Sequence, residues 1–425
     1  MKSVYEVPTR ARGANHRGGA PSTVTLISVH GDPSAAIGTE GAGGQNVYVR
    51  ELARALRAIG HPVRVLTRSK YHRETPETLD LDGVQVIRVP CGPDGMVSRD
   101  KLFPHLPEFV ARAAEWMEGQ PCKTDVIHSN YWLSGWVGME LARRWDVSHI
   151  HTPHSLGAVK REAMGATASG NPVRLSVEEE IAERADALIA TSPADLIARG
   201  RHYSVTGRPE VIPCGYNPAI YHPGDRDSAK ERWGIPSECP VLAYVGRFDP
   251  GKGIGTLMRA FDHLAEQSDV RLLLAGGFLP GGADEQEHSR WRDWVSSKPW
   301  AGRVHWLGRL DSEDVADVYR AASMVIVPSL YESFGMVALE AMACGTPVLA
   351  SDVGGLRHTV VHRETGLLFP VENVEALIQG CEHVLRDDGL RERLSLFAAQ
   401  TAERCYTWPR VAEQMSRLYS RCLAA

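Results

Sequence analysis

The sequence predicts an α/β protein made of two doubly wound, parallel-sheet domains that face a cleft. Three observations carry this prediction. Short β-branched runs of strand length alternate with stretches of helical apolar spacing along most of the chain. A strand, a glycine-rich loop and an amphipathic helix form a unit that occurs near residue 23 and again near residue 241. The chain has 425 residues and an apolar share of 43%, enough for two or three domains with full cores at about 150 residues each.

The elements follow in order. Residues 1–22 contain no apolar core of a secretory signal and predict a flexible, mildly basic tail. Residues 23–29 (TVTLISV) predict a strand, and a loop with Gly31, Gly38, Gly41, Gly43 and Gly44 follows it. Val49, Leu52, Ala53, Leu56 and Ile59 then recur at helical spacing up to Gly60, and residues 63–67 (VRVLT) return as a strand. Further strands are expected at 84–89, 125–128, 149–152, 184–192 and 210–213. The Pro- and charge-rich stretch 221–240 separates the halves and sets the boundary near residue 220. The second unit starts at 241–245 (VLAYV), passes through GRFDPGKG, and enters a helix with Ile254, Leu257, Met258, Phe261 and Leu264 inward. Strands at 270–275, 303–307, 324–327, 347–350 and 366–369 complete this second domain, 221–405. Residues 406–425 predict a last helix that packs back on the first domain, 23–220. Strands alternating with helices throughout imply parallel sheets covered on both faces, with ligands beyond the carboxyl ends of the strands.

Composition narrows the function. Lys plus Arg total 47 against 52 Asp plus Glu, a net charge of −5, so no polycation is present to track nucleic acid or an anionic membrane. Apolar stretches stop at strand length, well short of the roughly 20 residues that span a bilayer. The eight cysteines show no CxxC spacing, which fits free thiols in a reducing cytoplasm and argues against structural zinc.

Two motifs carry chemistry. Gly246-x4-Gly251-Lys252-Gly253 is one residue short of a phosphate-binding P-loop, because Gly253 stands where that loop needs a Mg²⁺-binding hydroxyl. Arg247 adds a second cation at the strand end, and a bidentate fork beside a mobile point charge suits a diphosphate handled without metal. Solvated charges flanking a turn are the plain alternative. In SLYESFGMVALEAMACG, residues 329–345, the helix around Glu340 is apolar on every side. A buried carboxylate there would cost several kcal/mol without a partner, and a vicinal diol would supply one. Glu332 precedes it by eight residues, about 12 Å along a helix axis, which suits two ends of one ligand. Between them the amides of Gly335, Met336 and Val337 open a helix ready for phosphate. The plain alternative makes Glu332 a helix-start acid and pairs Glu340 with a protein Arg.

In the first domain, Gly43-Gly44-Gln45-Asn46 opens the first helix, where amides again face an anion or a reacting oxygen. A dinucleotide fold would want GxGxxG and a later acid, but the second strand ends in Thr67-Arg68. His151-Thr152-Pro153-His154-Ser155 closes another strand beside the cleft. Two histidines without a carboxylate make no usual metal site, and His151 alone is expected to be a packed core residue.

These residues together resemble a retaining glycosyltransferase of the GT-B fold, family 4, which pairs two Rossmann-like domains. The resemblance covers residues 23 to about 420 and rests on Glu332-x7-Glu340, GRFDPGKG, the Gly43-Gly44 loop and the His154 strand end. GGQNVYVRELARAL, NYWLSGW and HTPHSLGAVKRE are most similar to the branch holding sucrose-phosphate synthases and the D-inositol-3-phosphate glycosyltransferase. The resemblance implies that Arg247 and Lys252 hold a donor diphosphate, that Glu340 binds ribose hydroxyls and that Glu332 binds the transferred sugar. Gly43, Gly44, Phe334, Gly335, Met336 and Val337 join the donor site, and Arg309 stands where uracil is contacted. His154 lies near the anomeric centre.

For a phosphorylated acceptor the resemblance implies Tyr131, Ser155 and Arg174, with Asn46 as a further contact and Arg99 or Lys101 as the remaining cation. The segment 163–172 diverges most on the acceptor side. The implied reaction moves glucose or N-acetylglucosamine from a UDP-sugar to a sugar phosphate or cyclitol phosphate by front-face displacement, with no required metal or cofactor. Fructose 6-phosphate, a non-phosphorylated acceptor, and a UDP-sugar epimerase remain open alternatives, as does a nucleotide-sugar-binding protein without catalysis. The partners expected are small-molecule substrates, with no nucleic acid and no transmembrane segment, and a second copy of the chain in a homodimer.

Overall fold

A computed structural model of the chain describes residues 21–35, 43–71, 73–165, 171–278 and 283–424. Residues 1–20 of the expected tail, Gly38, Gly41 and the middle of segment 163–172 lie outside the described residues, whereas Ser22 is already buried beside His61.

The first sheet holds β1 (Val24–Ile27), β2 (Val63–Ser69), β3 (Glu77–Leu81), β4 (Val84–Pro90), β5 (Val126–Asn130), β6 (Ser148–Thr152), β7 (Ala187–Ala190) and β8 (Arg208–Val211), ordered β3-β4-β2-β1-β5-β6-β7-β8. The second holds β9 (Val241–Val245), β10 (Arg271–Ala275), β11 (Val304–Gly308), β12 (Met324–Val327), β13 (Val348–Ser351) and β14 (Gly366–Phe369), ordered β11-β10-β9-β12-β13-β14. Each order reverses beside its first strand, the switch point where doubly wound sheets open a crevice. The central strands are buried along their whole length, as strands covered on both faces must be.

Two expectations need correction. The alternation of strand and helix breaks after β2, where β3 pairs antiparallel with β4. Asp82 and Gly83 join them with φ of +55° and +80°, the left-handed pair of a tight hairpin turn. The strand expected at 184–192 shrinks to β7, because Arg184 closes the preceding helix Pro172–Arg184.

The helix Ile254–Gln267 buries Ile254, Leu257, Met258, Phe261 and Leu264 in the second domain's core, each worth about 1.5–3 kcal/mol. The last helix, Trp408–Leu423, lies against the first-domain helix Gly44–Ala58. Its Ser416 hydroxyl meets His61 Nε2 at 2.8 Å, its Tyr419 hydroxyl meets His128 Nδ1 at 2.7 Å, and Arg421 pairs with Glu210. The chain therefore crosses between domains twice, and the crossings touch: Tyr216 donates to the Tyr406 carbonyl at 2.9 Å, and Trp408 N–H donates back to Tyr216 at 3.3 Å.

Candidate active site

A cavity of about 280 Å³ opens beyond the carboxyl ends of β9, β10 and β11, roofed by the first turn of Gly44–Ala58. Gly43, Gly44, Arg247, Arg309, Met336, Val337 and Glu340 all border it, so one space gathers residues of both domains that are expected from the sequence at a donor site. Gly253 has φ of +67°, and a Cβ there would collide with the Pro328 carbonyl oxygen. The hydroxyl residue of a P-loop is therefore sterically excluded at this position.

Each loop cation has acidic company. Arg247 reaches Asp249 and Asp284 at 3.0 Å, and Lys252 reaches Glu332 at 2.5 Å. Ser329 also donates to Glu332 at 3.1 Å. Neither the free-charge reading nor the helix-start reading describes this: the five residues Arg247, Asp249, Asp284, Lys252 and Glu332 are tied up in ion pairs at the mouth of the second sheet. Glu340 has no Arg partner among the described residues. Its carboxyl accepts from Tyr319 at 3.0 Å, and burial against the cavity floor pushes it up to about 7.

The structure brings the acceptor-side residues together. Arg174 contacts the Tyr131 hydroxyl at 3.2 Å and the Ser155 carbonyl and hydroxyl at 2.9 and 3.3 Å. The Arg99 guanidinium lies 5.9 Å from the Tyr131 ring centre, whereas Lys101 is exposed with no described contact to the cluster. Arg174 also pairs with Glu178 at 2.7 Å, and this pair is buried, unlike a surface helix bridge. Glu178 has further donors in the Gly157 amide and the Tyr203 hydroxyl.

Tyr131 and His154 stand just past β5 and β6 with φ of +77° and +58°. Left-handed backbone in bulky residues is costly and concentrates at functional sites. The His154 ring is fixed by Asn130 at 2.9 Å and by the edge of Tyr48, and burial pushes its pKa down to about 3. It is neutral at physiological pH, so it can hydrogen-bond but not act as a cation. His151 is a packed core histidine whose Nδ1 meets Ser129 Oγ at 2.8 Å.

Two residues are placed differently from the implied roles. Phe334 is buried in the core against Tyr406 and is not among the residues that line the cavity. Asn46 is turned inward, accepting from Gly43 N–H at 3.0 Å and donating to the Asp32 carbonyl at 2.8 Å, which braces the glycine loop. Gly335, with φ of +94°, opens the helix Met336–Ala343, and a side chain there would strike Leu356.

Sequence reasoning missed Lys160, Ser333 and Tyr319. Half-buried Lys160 is depressed by burial, with Asp249 acting against that and Arg99, Arg174 and Arg247 adding to it, so it stands between the two clusters. Ser333 crosses the cleft: its hydroxyl donates to the His154 carbonyl at 2.8 Å, and its own carbonyl accepts from Thr191 and Ser192 at 3.3 and 3.0 Å. Nothing in spacing marks a lone Ser or Lys for such a place. Among the described residues, no group of three or more His, Cys, Asp or Glu is arranged to hold a metal ion, and no helix is long and apolar enough to cross a membrane.

Comparison with known proteins agrees with this geometry. Residues 43–215 match the model of the glycosyl transferase 4-like domain, and residues 225–401 that of the glycosyl transferases group 1. A D-inositol 3-phosphate glycosyltransferase from Stackebrandtia nassauensis is 34% identical over 97% of this chain and 93% of its own. One from Acidothermus cellulolyticus is 37% identical over 95% and 91%. The structure of a sucrose-phosphate synthase from Thermosynechococcus elongatus matches with a TM-score of 0.87 and 40% identity, over 95% of this chain and 99% of that one. With both sheets, the interdomain cavity and full-length relatives in agreement, the chain belongs to the GT-B glycosyltransferases of family 4 and is a hexosyltransferase.

Proposed function

We propose that the enzyme moves a hexosyl group, with retention, from a UDP-sugar to a hydroxyl of a phosphorylated sugar or cyclitol. The observation that carries this reading is the convergence of Arg174, Tyr131, Ser155 and Arg99 on one side of the cleft, facing the Arg247–Lys252 loop on the other. Two guanidinium groups and two hydroxyls offer a phosphate several charge-assisted hydrogen bonds, each worth about 1.5–3 kcal/mol. The names of the relatives point the same way, since both D-inositol 3-phosphate and sucrose phosphate carry a phosphate.

On the donor side, Glu340 takes the ribose diol. Arg247, Lys252 and the amides of Gly335–Val337 stabilise the departing diphosphate, the charge that grows in the transition state. Binding exchanges the ion pairs of Arg247 with Asp249 and Asp284, and of Lys252 with Glu332, for contacts to phosphate oxygens. That frees the Glu332 carboxylate for hydroxyls of the transferred sugar. Neutral His154 donates or accepts a hydrogen bond near the anomeric centre. With no carboxylate among its described hydrogen-bond partners, front-face displacement assisted by the leaving phosphate is favoured over a glycosyl-enzyme. The reaction needs no metal in this reading, because loop cations and helix amides neutralise the diphosphate, and a reducing cytoplasm suits the eight free cysteines.

A second reading takes fructose 6-phosphate as acceptor, favoured by the 40% identity to the sucrose-phosphate synthase. Incubating the pure protein with UDP-glucose or UDP-N-acetylglucosamine against inositol 3-phosphate, fructose 6-phosphate and their dephosphorylated forms, and following UDP release, separates these readings. UDP release that is indifferent to the acceptor phosphate would reject both.

A further inference from the structure

Glu340 borders the nucleotide cavity, and among the described residues the one side chain that hydrogen-bonds its carboxylate is Tyr319, whose hydroxyl donates to Oε2 at 3.0 Å. Tyr319 is fully buried on the helix Ser312–Ala321, whose Ser312 and Val315 border the same cavity. Its backbone is held as well, the carbonyl accepting from Thr346 Oγ1 at 2.7 Å. The other titratable groups near the carboxylate are Tyr221, from the segment joining the domains, and Cys344, one turn on along Glu340's own helix. Both are pushed up by burial and stay neutral. Glu51, from the first-domain helix, faces Tyr221 and is an acid. Arg320, next to Tyr319 in sequence, is tied to Asp317 and to the carbonyls of Ile220 and His222. Burial thus raises the Glu340 carboxyl, and the Tyr319 hydroxyl is the group that opposes it.

We propose that Tyr319 is a positioning residue for the donor nucleotide: by donating to Oε2 it fixes the Glu340 carboxylate and leaves Oε1 as the oxygen offered to the ribose diol. This rests on the reading of Glu340 as the ribose ligand. A neutral carboxylic acid would spend its proton locally and offer a weaker acceptor, so a donor that favours the ionised form supports nucleotide binding at neutral pH. Tyr319 touches no substrate in this arrangement and acts through Glu340 alone.

The test is the dissociation constant for UDP, measured by calorimetry from pH 7 to 9 on the full chain for wild type, Tyr319→Phe, Glu340→Gln and the double variant. The variant-to-wild-type ratio cancels the ligand's own titration. Tyr319→Phe should weaken UDP binding about five- to tenfold at pH 7 and by less than about twofold at pH 9, as the carboxyl regains its charge. In the Glu340→Gln background the same change should have no effect at any pH. An equal loss at every pH, or an equal loss in the Gln background, would show that Tyr319 only packs, and would overturn the proposal. Unchanged binding would overturn it too. Wild-type protein that binds no UDP would overturn the nucleotide reading and this proposal with it, whereas a pH-indifferent Tyr319→Phe on a UDP-binding enzyme overturns this proposal alone.

Discussion

Replacing Glu340 by Gln should stabilise the free enzyme while weakening donor binding. The Glu340 carboxyl is pushed up to about 7 from an ordinary 4.5. At about 1.4 kcal/mol per pKa unit, the ionised side chain costs the free fold on the order of 3 kcal/mol. The folded chain holds a proton on Glu340 that the unfolded chain releases from about pH 4.5, so stability falls as pH rises from there to about 7, and the cost is complete above that. Gln keeps the shape and removes the charge. Its melting temperature should match wild type near pH 4 and exceed it by several degrees at pH 8.5, since about 1 kcal/mol moves a domain of this size by roughly 2–4 °C. UDP affinity should fall at least about 30-fold, the loss of charge-assisted bonds to a diol. Thermal melts at the two pH values, with and without UDP, check both halves. A melting difference that does not change with pH would refute the argument that this carboxylate is held against its preference for the ligand's sake.

Arg247→Ala or Lys252→Ala should each lower kcat/KM about 30- to 1,000-fold, as lost electrostatic donors do; a change under threefold in both would remove them from the diphosphate site. Activity should persist in excess chelator, and loss restored by Mg²⁺ or Mn²⁺ would show that a metal neutralises the diphosphate. Arg174→Ala should destabilise the fold by about 2–4 kcal/mol in urea melts, because Glu178 is left buried without its cation. Arg174→Lys keeps a charge for Glu178 but loses the fork, so it should keep most stability and lose at least about tenfold of any preference for phosphorylated over neutral acceptors; equal loss with both acceptors would mark Arg174 as structural. Gly253→Ser should not create a Mg²⁺ site but should impair folding or donor binding, since φ is +67° and the Pro328 carbonyl fills the space; a well-folded, fully active variant would contradict this.

The strands and the main helices were legible because their signal is local: β-branched runs such as 241–245 and the apolar stripe of Ile254–Gln267 need no knowledge of neighbours. The hairpin at Asp82-Gly83 was legible too, in the turn dipeptide, but the expectation of strict alternation masked it. At the site, residues set by chain geometry were readable. Glu340 announces itself as an acid on an apolar helix, and Arg247 and Lys252 flank a loop whose glycines have backbone reasons. What sequence could not show is which polar groups already satisfy one another. Asn46 has the residue type of a ligand contact, yet both ends of its amide are used by Gly43 and Asp32. Phe334 sits in the most specific motif of the chain, yet its ring points into the core because Tyr406, seventy-two positions later, lies there.

The same limit hides how the cleft is held in the free protein, where the pattern has a consequence for catalysis. Arg247 and Lys252 are each matched to a carboxylate, so the loop carries little unpaired charge and costs the fold less than two free cations on one strand end would. If the loop holds the donor diphosphate as proposed, that diphosphate must compete with Asp249, Asp284 and Glu332, which would lower affinity for any anion that cannot also use the carboxylates it displaces. A sugar diphosphate would use them, because its sugar hydroxyls lie beyond the diphosphate and can donate to the freed Glu332. Ser333 ties this exchange to the acceptor side, since the residue next to Glu332 hydrogen-bonds the carbonyl of His154. In the proposed reading, a shift of Glu332 on releasing Lys252 would be passed through Ser333 to the strand end of the first domain, next to the Ser155 and Arg174 cluster. The proposed donor and acceptor sides are thus bridged by a single short loop, and the bridge is made by Ser333, a serine that sequence pattern does not distinguish.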